Sequence, residues 1–206
     1  MNLRECVWSG GMDWGFNQPG CMLWVAHLPD GHYHVMRELK FAQRSAEDVA
    51  KEIRTITADF SIRLAYIAAD PSMFNKTGLG SARRGESVGA VLGRRLPMRA
   101  SDHDRFNGWL RIHELFRAAP DGVPWLTVEP TCRYLIRTIP AAVSDKNDPD
   151  DVDTSIDDHG LDALRYWAMS RPSPTQLHTR PRVQPGSLGW YKARDVVVPG
   201  PLSRQA

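Results

Sequence analysis

Three aspartates occupy positions from which acidic side chains could converge on one edge of a fold. Asp13 lies within or at the end of the first predicted strand, Asp70 follows a short apolar run, and Asp162 falls in the second turn of a late predicted helix. A pair of divalent cations needs oxygen ligands from several carboxylates, and carboxylates packed that closely are stable only with the cations bound. The pattern therefore suggests a site for two divalent cations, Mg²⁺ or Mn²⁺, that needs no covalent protein nucleophile.

Each of these aspartates also has an ordinary structural interpretation. Asp13 could begin a turn, and Asp70 could form an Asx turn before Pro71. Asp162 could be the partner of Arg165, which lies three residues later on the same predicted helix. Residue spacing alone leaves these alternatives open.

Two more side chains lie beside Asp162. Asp158 precedes Asp162 by four residues, so the two share one face of the predicted helix, and His159 lies between them. Asp158 could be an additional metal ligand, and His159 could be an accessory group that handles a proton. The sequence does not rank one above the other.

The opening elements follow from the apolar pattern and the turn residues. Strand-like runs at 6–16, 21–28 and 32–41 are separated by turn sequences, and Pro29-Asp30-Gly31 is typical of a hairpin. These runs predict a three-stranded antiparallel meander. Ser45 and Asp48 then form a helix-capping pattern, followed by apolar residues at helical spacing as far as Phe60.

Strands and helices alternate after this first helix. A buried strand is predicted at 64–69, directly before Asp70, and a capping box of Ser155 and Asp158 opens a helix that ends near Met169. This alternation predicts an α/β fold in which a mixed sheet, an antiparallel meander plus parallel strands, is flanked by helices. The other predicted elements are helices at about 88–92, 104–118 and 132–139 and a strand at 125–128.

Charge is unevenly distributed along the chain. Residues 76–117 contain nine Lys/Arg against four Asp/Glu, whereas residues 145–162 contain eight aspartates and one lysine. A basic stretch suits phosphate binding and an acidic stretch suits divalent cations. The alternative is a solubilising surface. We predict that six basic residues bind DNA phosphates without reading sequence: Lys76, Arg83, Arg84, Arg94, Arg95 and Arg99.

The composition excludes several classes of protein. No apolar run approaches the roughly 20 residues of a membrane span, so we expect neither a membrane nor a secreted protein. Three scattered cysteines, Cys6, Cys21 and Cys132, form no zinc or disulfide pattern and fit a reducing cytoplasm.

We expect one domain at 1–170. The tail at 171–206 has six prolines and six Lys/Arg against one acid, and we expect it to be mobile.

Several segments resemble the nuclease domain of tailed-phage terminase large subunits. They are GMDWG at 11–15, AADP at 68–71, TCRYLIRT at 131–138, PDDVDT at 149–154 and, most specifically, DHGLDALRY at 158–166. The likeness covers about residues 5–170. It implies an RNase H-like fold with a two-metal site and places the three catalytic aspartates of the family at Asp13, Asp70 and Asp162.

The resemblance also implies a function and its partners. The expected activity is cleavage of concatemeric viral DNA during genome packaging, in the cytoplasm of the infected bacterial host. The expected partners are double-stranded DNA, an ATPase motor, a small terminase subunit and a portal. The sequence has no GxxxxGK[ST] phosphate loop. The glycine-rich stretch at 78–85 comes nearest to one, but it carries arginines in place of the lysine. We therefore expect the motor to lie elsewhere in a longer chain or on another chain.

Two other functions fit the same residues. A junction resolvase or a transposase-type nuclease would share the RNase H-like metal site but act on branched DNA or transposon ends. A catalytically silent DNA-binding assembly module would keep the fold without cutting. The presence of all three aspartates argues against the silent module.

Overall fold

A mixed sheet with helices on both faces makes up the described part of the chain, which comprises residues 5–76, 85–141 and 158–171 of a computed structural model. The strands are β1 (Val7–Asp13), β2 (Gly20–His27), β3 (Tyr33–Phe41), β4 (Leu64–Ala69), β5 (Met98–Ala100) and β6 (Leu126–Val128). The helices are α1 (Ala46–Asp59), α2 (Val88–Gly93), α3 (Arg105–Phe116), α4 (Arg133–Ala141) and α5 (His159–Met169), and a short 3-10 helix spans Pro71–Phe74.

The six strands are arranged in the order β5-β4-β1-β2-β3-β6. Strands β1, β2 and β3 pair antiparallel, as the predicted meander requires. Strand β4 joins β1 in parallel, and β5 and β6 add parallel edges beyond β4 and β3. The predicted mixed α/β sheet is therefore confirmed. Strand β1 is flanked on both sides, which places its carboxyl end in the middle of the sheet edge.

Strand β2 shows how one apolar run serves two cores. Its side chains alternate between faces, so that Met22 and Trp24 pack under α1 and α2 while Leu23 and Val25 pack under α3, α4 and α5. All four side chains are fully buried. A strand covered on both faces needs apolar residues at every position, and this explains why the sequence of β2 shows no polar alternation.

Helix α1 begins where its capping residues predict. The Ser45 hydroxyl accepts a hydrogen bond from the Asp48 backbone N–H at 3.1 Å, and the buried face of the helix includes Val49 and Ile53. Trp24 of β2 donates its indole N–H to Thr57 at 3.0 Å. The cap and this hydrogen bond fix α1 against the sheet.

Helix α5 packs against β1 at a glycine. A Cβ atom on Gly11 would lie 2.1 Å from the carbonyl oxygen of Ala163 and 2.6 Å from Cβ of Trp167, so only glycine fits there. The Trp167 indole N–H donates to Ser9 at 2.9 Å, within the same contact. Because α5 carries Asp162, this close packing positions part of the predicted site.

Two details differ from the sequence-based expectation. Strand β5 was not predicted, because three residues with two exposed side chains give no periodic signal. Asp162 lies in the first turn of α5, not the second, because the helix begins at His159 with Asp158 at the N-cap position. Ser155, the predicted cap, lies outside the described residues, as does the tail from 172 onward. No helix among the described residues is long and apolar enough to cross a membrane.

Substitution of Gly11 tests the packing of α5 on the sheet. The Gly11→Ala change should lower the free energy of unfolding by about 2–4 kcal/mol, because the added methyl group meets backbone atoms that cannot rotate away. Gly93→Ala is the matched control, since its added methyl group meets nothing within 4 Å. Urea denaturation followed by circular dichroism measures both. Equal stability of the two variants would contradict the packing argument.

Candidate active site

The carboxyl ends of β1 and β4 bring Asp13 and Asp70 to the same edge of the sheet. The two strands are parallel neighbours, with Met12 opposite Ala69, and the Asp70 backbone N–H donates to the Met12 carbonyl at 3.2 Å. Asp13 is the last residue of β1 and Asp70 directly follows β4. Because parallel strands end at the same edge, the pairing register alone makes these two residues neighbours.

Helix α5 adds Asp162 and His159 to this edge. The His159 imidazole lies with Nδ1 2.6 Å from Oδ2 of Asp13, across 146 positions of the sequence. Asp162 is close enough to Asp13 to raise the pKa of its carboxyl group. The structure thus gathers three aspartates and one histidine that the sequence analysis selected.

Asp13 is a buried carboxylate in a repulsive environment. Its side chain is almost inaccessible to solvent, and the pKa of Asp13 is raised to about 6. Burial is the largest cause, and the neighbouring Asp162 and Asp70 carboxylates add to it, whereas the hydrogen bond with His159 acts in the opposite direction. A site of this kind carries an electrostatic cost that a bound cation would remove.

Two arginines contact the Asp162 carboxylate. Arg165 donates its Nε–H to Oδ1 of Asp162 at 2.9 Å, and Nη1 of Arg105 lies 3.5 Å from Oδ2. Arg165 is buried, and its guanidinium lies over the rings of Tyr166 and Trp109. Asp162 is therefore both the partner of Arg165, as its ordinary interpretation predicts, and a member of the acidic cluster.

Asp70 and Asp158 occupy helix-capping positions. The Asp70 carboxylate accepts hydrogen bonds from the backbone N–H and the hydroxyl of Ser72, so the predicted Asx turn is also present. Asp158 is buried at the N-cap position of α5, but its side chain makes no capping hydrogen bond. Burial, and next the Asp162 carboxylate, raise the pKa of Asp158. Asp158 therefore belongs to the same acidic environment.

The donor set fits a hard divalent cation by its chemistry. Asp13, Asp70 and Asp162 offer oxygen ligands, and burial together with the two neighbouring carboxylates raises the pKa of Asp13. The side chains of Asp70 and Asp162 point to their local partners, and no group of three His, Cys, Asp or Glu side chains among the described residues forms a complete ligand set. Binding would require new rotamers of these two side chains.

A serine–histidine contact elsewhere in the fold has a structural role. Ser9 Oγ lies 2.5 Å from Nε2 of His27, as in a nucleophile–base pair, but Ser9 is fully buried and accepts the Trp167 indole N–H. Burial, and then the Arg171 guanidinium, lower the pKa of His27 to about 4. These four side chains link α5 to the sheet away from the acidic edge.

The structure describes four of the six predicted DNA-binding residues, Lys76, Arg94, Arg95 and Arg99. Lys76 is exposed shortly after the 3-10 helix, and Arg83 and Arg84 lie outside the described residues. Arg99 lies over the Tyr66 ring at 3.5 Å and donates to the Ser170 carbonyl at 3.3 Å.

The last two predicted basic residues lie at the opposite end of β4. Arg95 lines a groove with Leu64 and Pro97, and Arg94 is paired with Glu86. Arg94 and Arg95 follow Asp70 in the sequence. Because β5 runs parallel to β4, however, α2 returns the chain to the amino end of β4 before β5 begins.

One residue of the site was missed by the sequence analysis. Arg105 lies at the start of α3 and contacts Asp162 across 57 positions, so no local pattern could have indicated it. Its side chain is 29% exposed. It therefore supplies an accessible positive charge beside the aspartates.

The sheet order and the flanking helices make the described part of the chain an α/β domain with the RNase H-like fold that the sequence predicts. Comparison with solved structures then shows the fold to be that of phage large-terminase nuclease domains. The chain aligns with a large terminase from a thermophilic bacteriophage at 14% identity and a TM-score of 0.60, covering 80% of this chain and 39% of that one.

Two isolated nuclease domains share the fold. The P22 large terminase nuclease domain aligns at 16% identity and a TM-score of 0.54, covering 81% of this chain and 82% of that one. The large terminase nuclease of the thermophilic phage G20c with bound cobalt aligns at 13% identity and a TM-score of 0.55, covering 82% of each chain. No family model matches the sequence, and no curated protein matches it. The expected fold is confirmed on structure alone.

Neutralising Asp13 should stabilise the protein in the absence of divalent cations. A pKa of about 6 means that the folded state holds this proton more tightly than the unfolded chain, so charged Asp13 lowers stability above that pH. Asp13→Asn should therefore raise the free energy of unfolding by about 1–3 kcal/mol at about pH 8 in EDTA, and the gain should vanish as the pH falls to about 4.

The control for this prediction is Asp104→Asn. Asp104 is an exposed helix cap whose pKa is lowered by hydrogen bonds from Asn107, so its neutralisation should give no gain at about pH 8. Thermal denaturation with and without Mn²⁺ completes the measurement, since Asp13→Asn should also lose the stabilisation that the metal gives the unmodified protein. A less stable Asp13→Asn variant in EDTA would refute the electrostatic argument.

Proposed function

We propose that the protein is a metal-dependent DNA endonuclease that cuts concatemeric viral DNA during genome packaging. The observation that carries this proposal is the convergence of Asp13, Asp70 and Asp162 on one edge of the sheet. The fold adds support, because the P22 and G20c proteins that share it are named as large-terminase nucleases. Structures of the G20c nuclease with bound cobalt and with bound zinc support the use of a divalent cation.

Asp13, Asp70 and Asp162 would hold two divalent cations, Mg²⁺ or Mn²⁺, and Asp158 is a further candidate ligand. When bound, the cations would supply Lewis-acid activation of water and neutralise charge on the phosphate. His159 has its own role as an accessory group. Its Nδ1–H donates to Asp13, which keeps that carboxylate oriented at the edge of the sheet.

The two arginines beside Asp162 have different roles. Arg165 is buried and bonded to Oδ1 of Asp162, so it fixes the orientation of that carboxylate. Arg105 is partly exposed next to Oδ2, where its positive charge can meet a phosphate group that approaches the aspartates. One arginine therefore positions a ligand, and the other contributes to substrate binding.

The surroundings of the reaction follow from the same proposal. The chain spans 39% of the length of the aligned thermophilic-phage large terminase, and structures of that terminase in complex with ADP and with ATP-gamma-S are known. We infer an ATPase motor, in a longer chain or on another chain, together with a small terminase subunit and a portal. Double-stranded DNA would be held in part by Lys76, Arg83, Arg84, Arg94, Arg95 and Arg99, in the cytoplasm of the infected bacterial host.

A plasmid-cutting assay tests the nuclease. The purified chain should cut supercoiled plasmid in Mg²⁺ or Mn²⁺ but not in EDTA, and Asp70→Asn should lower the rate by roughly 100-fold or more. Asparagine can keep the hydrogen bonds with Ser72, so this variant should remain folded. Asp59→Asn, an exposed change at the end of α1, is the control and should cut normally.

The assay also separates the alternatives. Cutting in EDTA, or equal cutting by Asp70→Asn and the unmodified chain, would refute a metal site at these aspartates. DNA binding without cutting in any metal would favour a silent assembly module or a nuclease that requires its motor. A strong preference for four-way junctions over linear duplex would favour a resolvase.

A further inference from the structure

A groove at the amino end of β4 lies far from the acidic edge. It has a volume of about 430 Å³ and lies between the carboxyl-terminal half of α1 and the segment that leads into β5. Its lining includes the apolar residues Ile62, Leu64, Leu96 and Pro97. Strand β4 has six residues, so the groove and Asp70 are separated by about 20 Å along the strand.

Three arginines line this groove. Arg54 comes from α1, Arg63 precedes β4, and Arg95 follows α2. All three are exposed, and none forms an ion pair within 4 Å with a described carboxylate. The residues that line the groove include no aspartate or glutamate. Three positive charges therefore surround one groove without a counter-charge in its lining.

Two nearby arginines outside the groove lining form ion pairs. Arg94, directly before Arg95, is paired with Glu86, and Arg44, directly before the cap of α1, is paired with Glu52. These paired arginines show that the local surface does supply carboxylates to some of its cations. The groove that Arg63 lines together with Arg54 and Arg95 has no carboxylate among its lining residues.

A second groove adjoins the first and limits the positive region. Arg54 and Arg95 line both grooves, but the second groove also contains Lys51 together with Glu47 and Asp48. Its acidic residues compensate the positive charge there. An anion would therefore bind towards the Arg63 end, where no carboxylate lines the surface.

We propose that the groove lined by Arg54, Arg63 and Arg95 binds a phosphate group. Like charges held around one concave surface repel each other, and an anion relieves that repulsion. Guanidinium groups match the geometry of phosphate oxygens, and the apolar lining residues can contact a sugar or base attached to the phosphate. The phosphate can come from a DNA backbone or from a free nucleotide, and the DNA source rests on the proposed function.

Binding measurements in EDTA test the groove without cutting. The probes are inorganic pyrophosphate and ATP, followed by calorimetry, and a short fluorescein-labelled duplex, followed by anisotropy at several salt concentrations. The test variant is Arg63→Gln combined with Arg95→Gln. The control combines Arg44→Gln with Arg117→Gln, which removes the same net charge from two arginines that do not line the groove. All four positions are exposed or partly exposed, so both variants should fold.

The expected result is a loss of phosphate binding in the test variant alone. Affinity for at least one probe should fall about tenfold, against less than about threefold in the control. If the phosphate comes from DNA, the slope of log duplex affinity against log salt should become shallower by about 2 in the test variant. If it comes from a free nucleotide, the test variant should instead bind pyrophosphate and ATP more weakly. Equal behaviour of the two variants with every probe, or no phosphate binding by the unmodified chain, would overturn the proposal.

The same data distinguish this proposal from the proposed function. Metal-dependent cutting that is lost in Asp70→Asn, together with unchanged probe binding in the groove variant, would refute the groove and leave the nuclease intact. Weakened pyrophosphate or ATP binding by the groove variant, in a chain that cuts DNA equally well with and without Asp70→Asn, would refute the metal site and leave the phosphate site.

Discussion

The contact between α5 and β1 at Gly11 determines whether a site exists. At that point the helix backbone approaches the strand so closely that a single methyl group would not fit, and Trp167 binds Ser9 within the same contact. The close approach brings the first turn of α5, with His159 and Asp162, over the strand ends that carry Asp13 and Asp70. A wider helix–sheet separation would leave three aspartates that could not share a ligand.

This arrangement has an electrostatic consequence that the fold manages only partly. Asp13 is buried beside other carboxylates, and its pKa rises to about 6 although His159 donates a hydrogen bond to it. Arg165 and Arg105 offset the charge of Asp162 through contacts with its two carboxylate oxygens. The remaining repulsion lowers the stability of the fold, as is typical of a site that binds a cation.

Patterns of neighbouring residues predicted the main strands and helices. Contacts between segments that are distant in the sequence determined the features that were not predicted. The apolar run of β4 and the cap of α1 are encoded in neighbouring residues, and the structure confirms both. The three aspartates could be selected because each one lies at or near the end of such an element. The contact of Arg105 with Asp162 and the three-residue strand β5 could not be predicted, because both depend on packing between distant segments.

The positions of the basic residues follow from one topological rule. A strand that adds in parallel must start at the same edge as its neighbour, so the chain that leaves Asp70 has to return before β5 begins. Arg95 thus lies near α1, on the face opposite the one that α5 covers. The groove and Asp70 are separated by the length of β4, about 20 Å. A single phosphate group cannot contact both places, so the proposed phosphate site and the proposed metal site can be tested independently of each other.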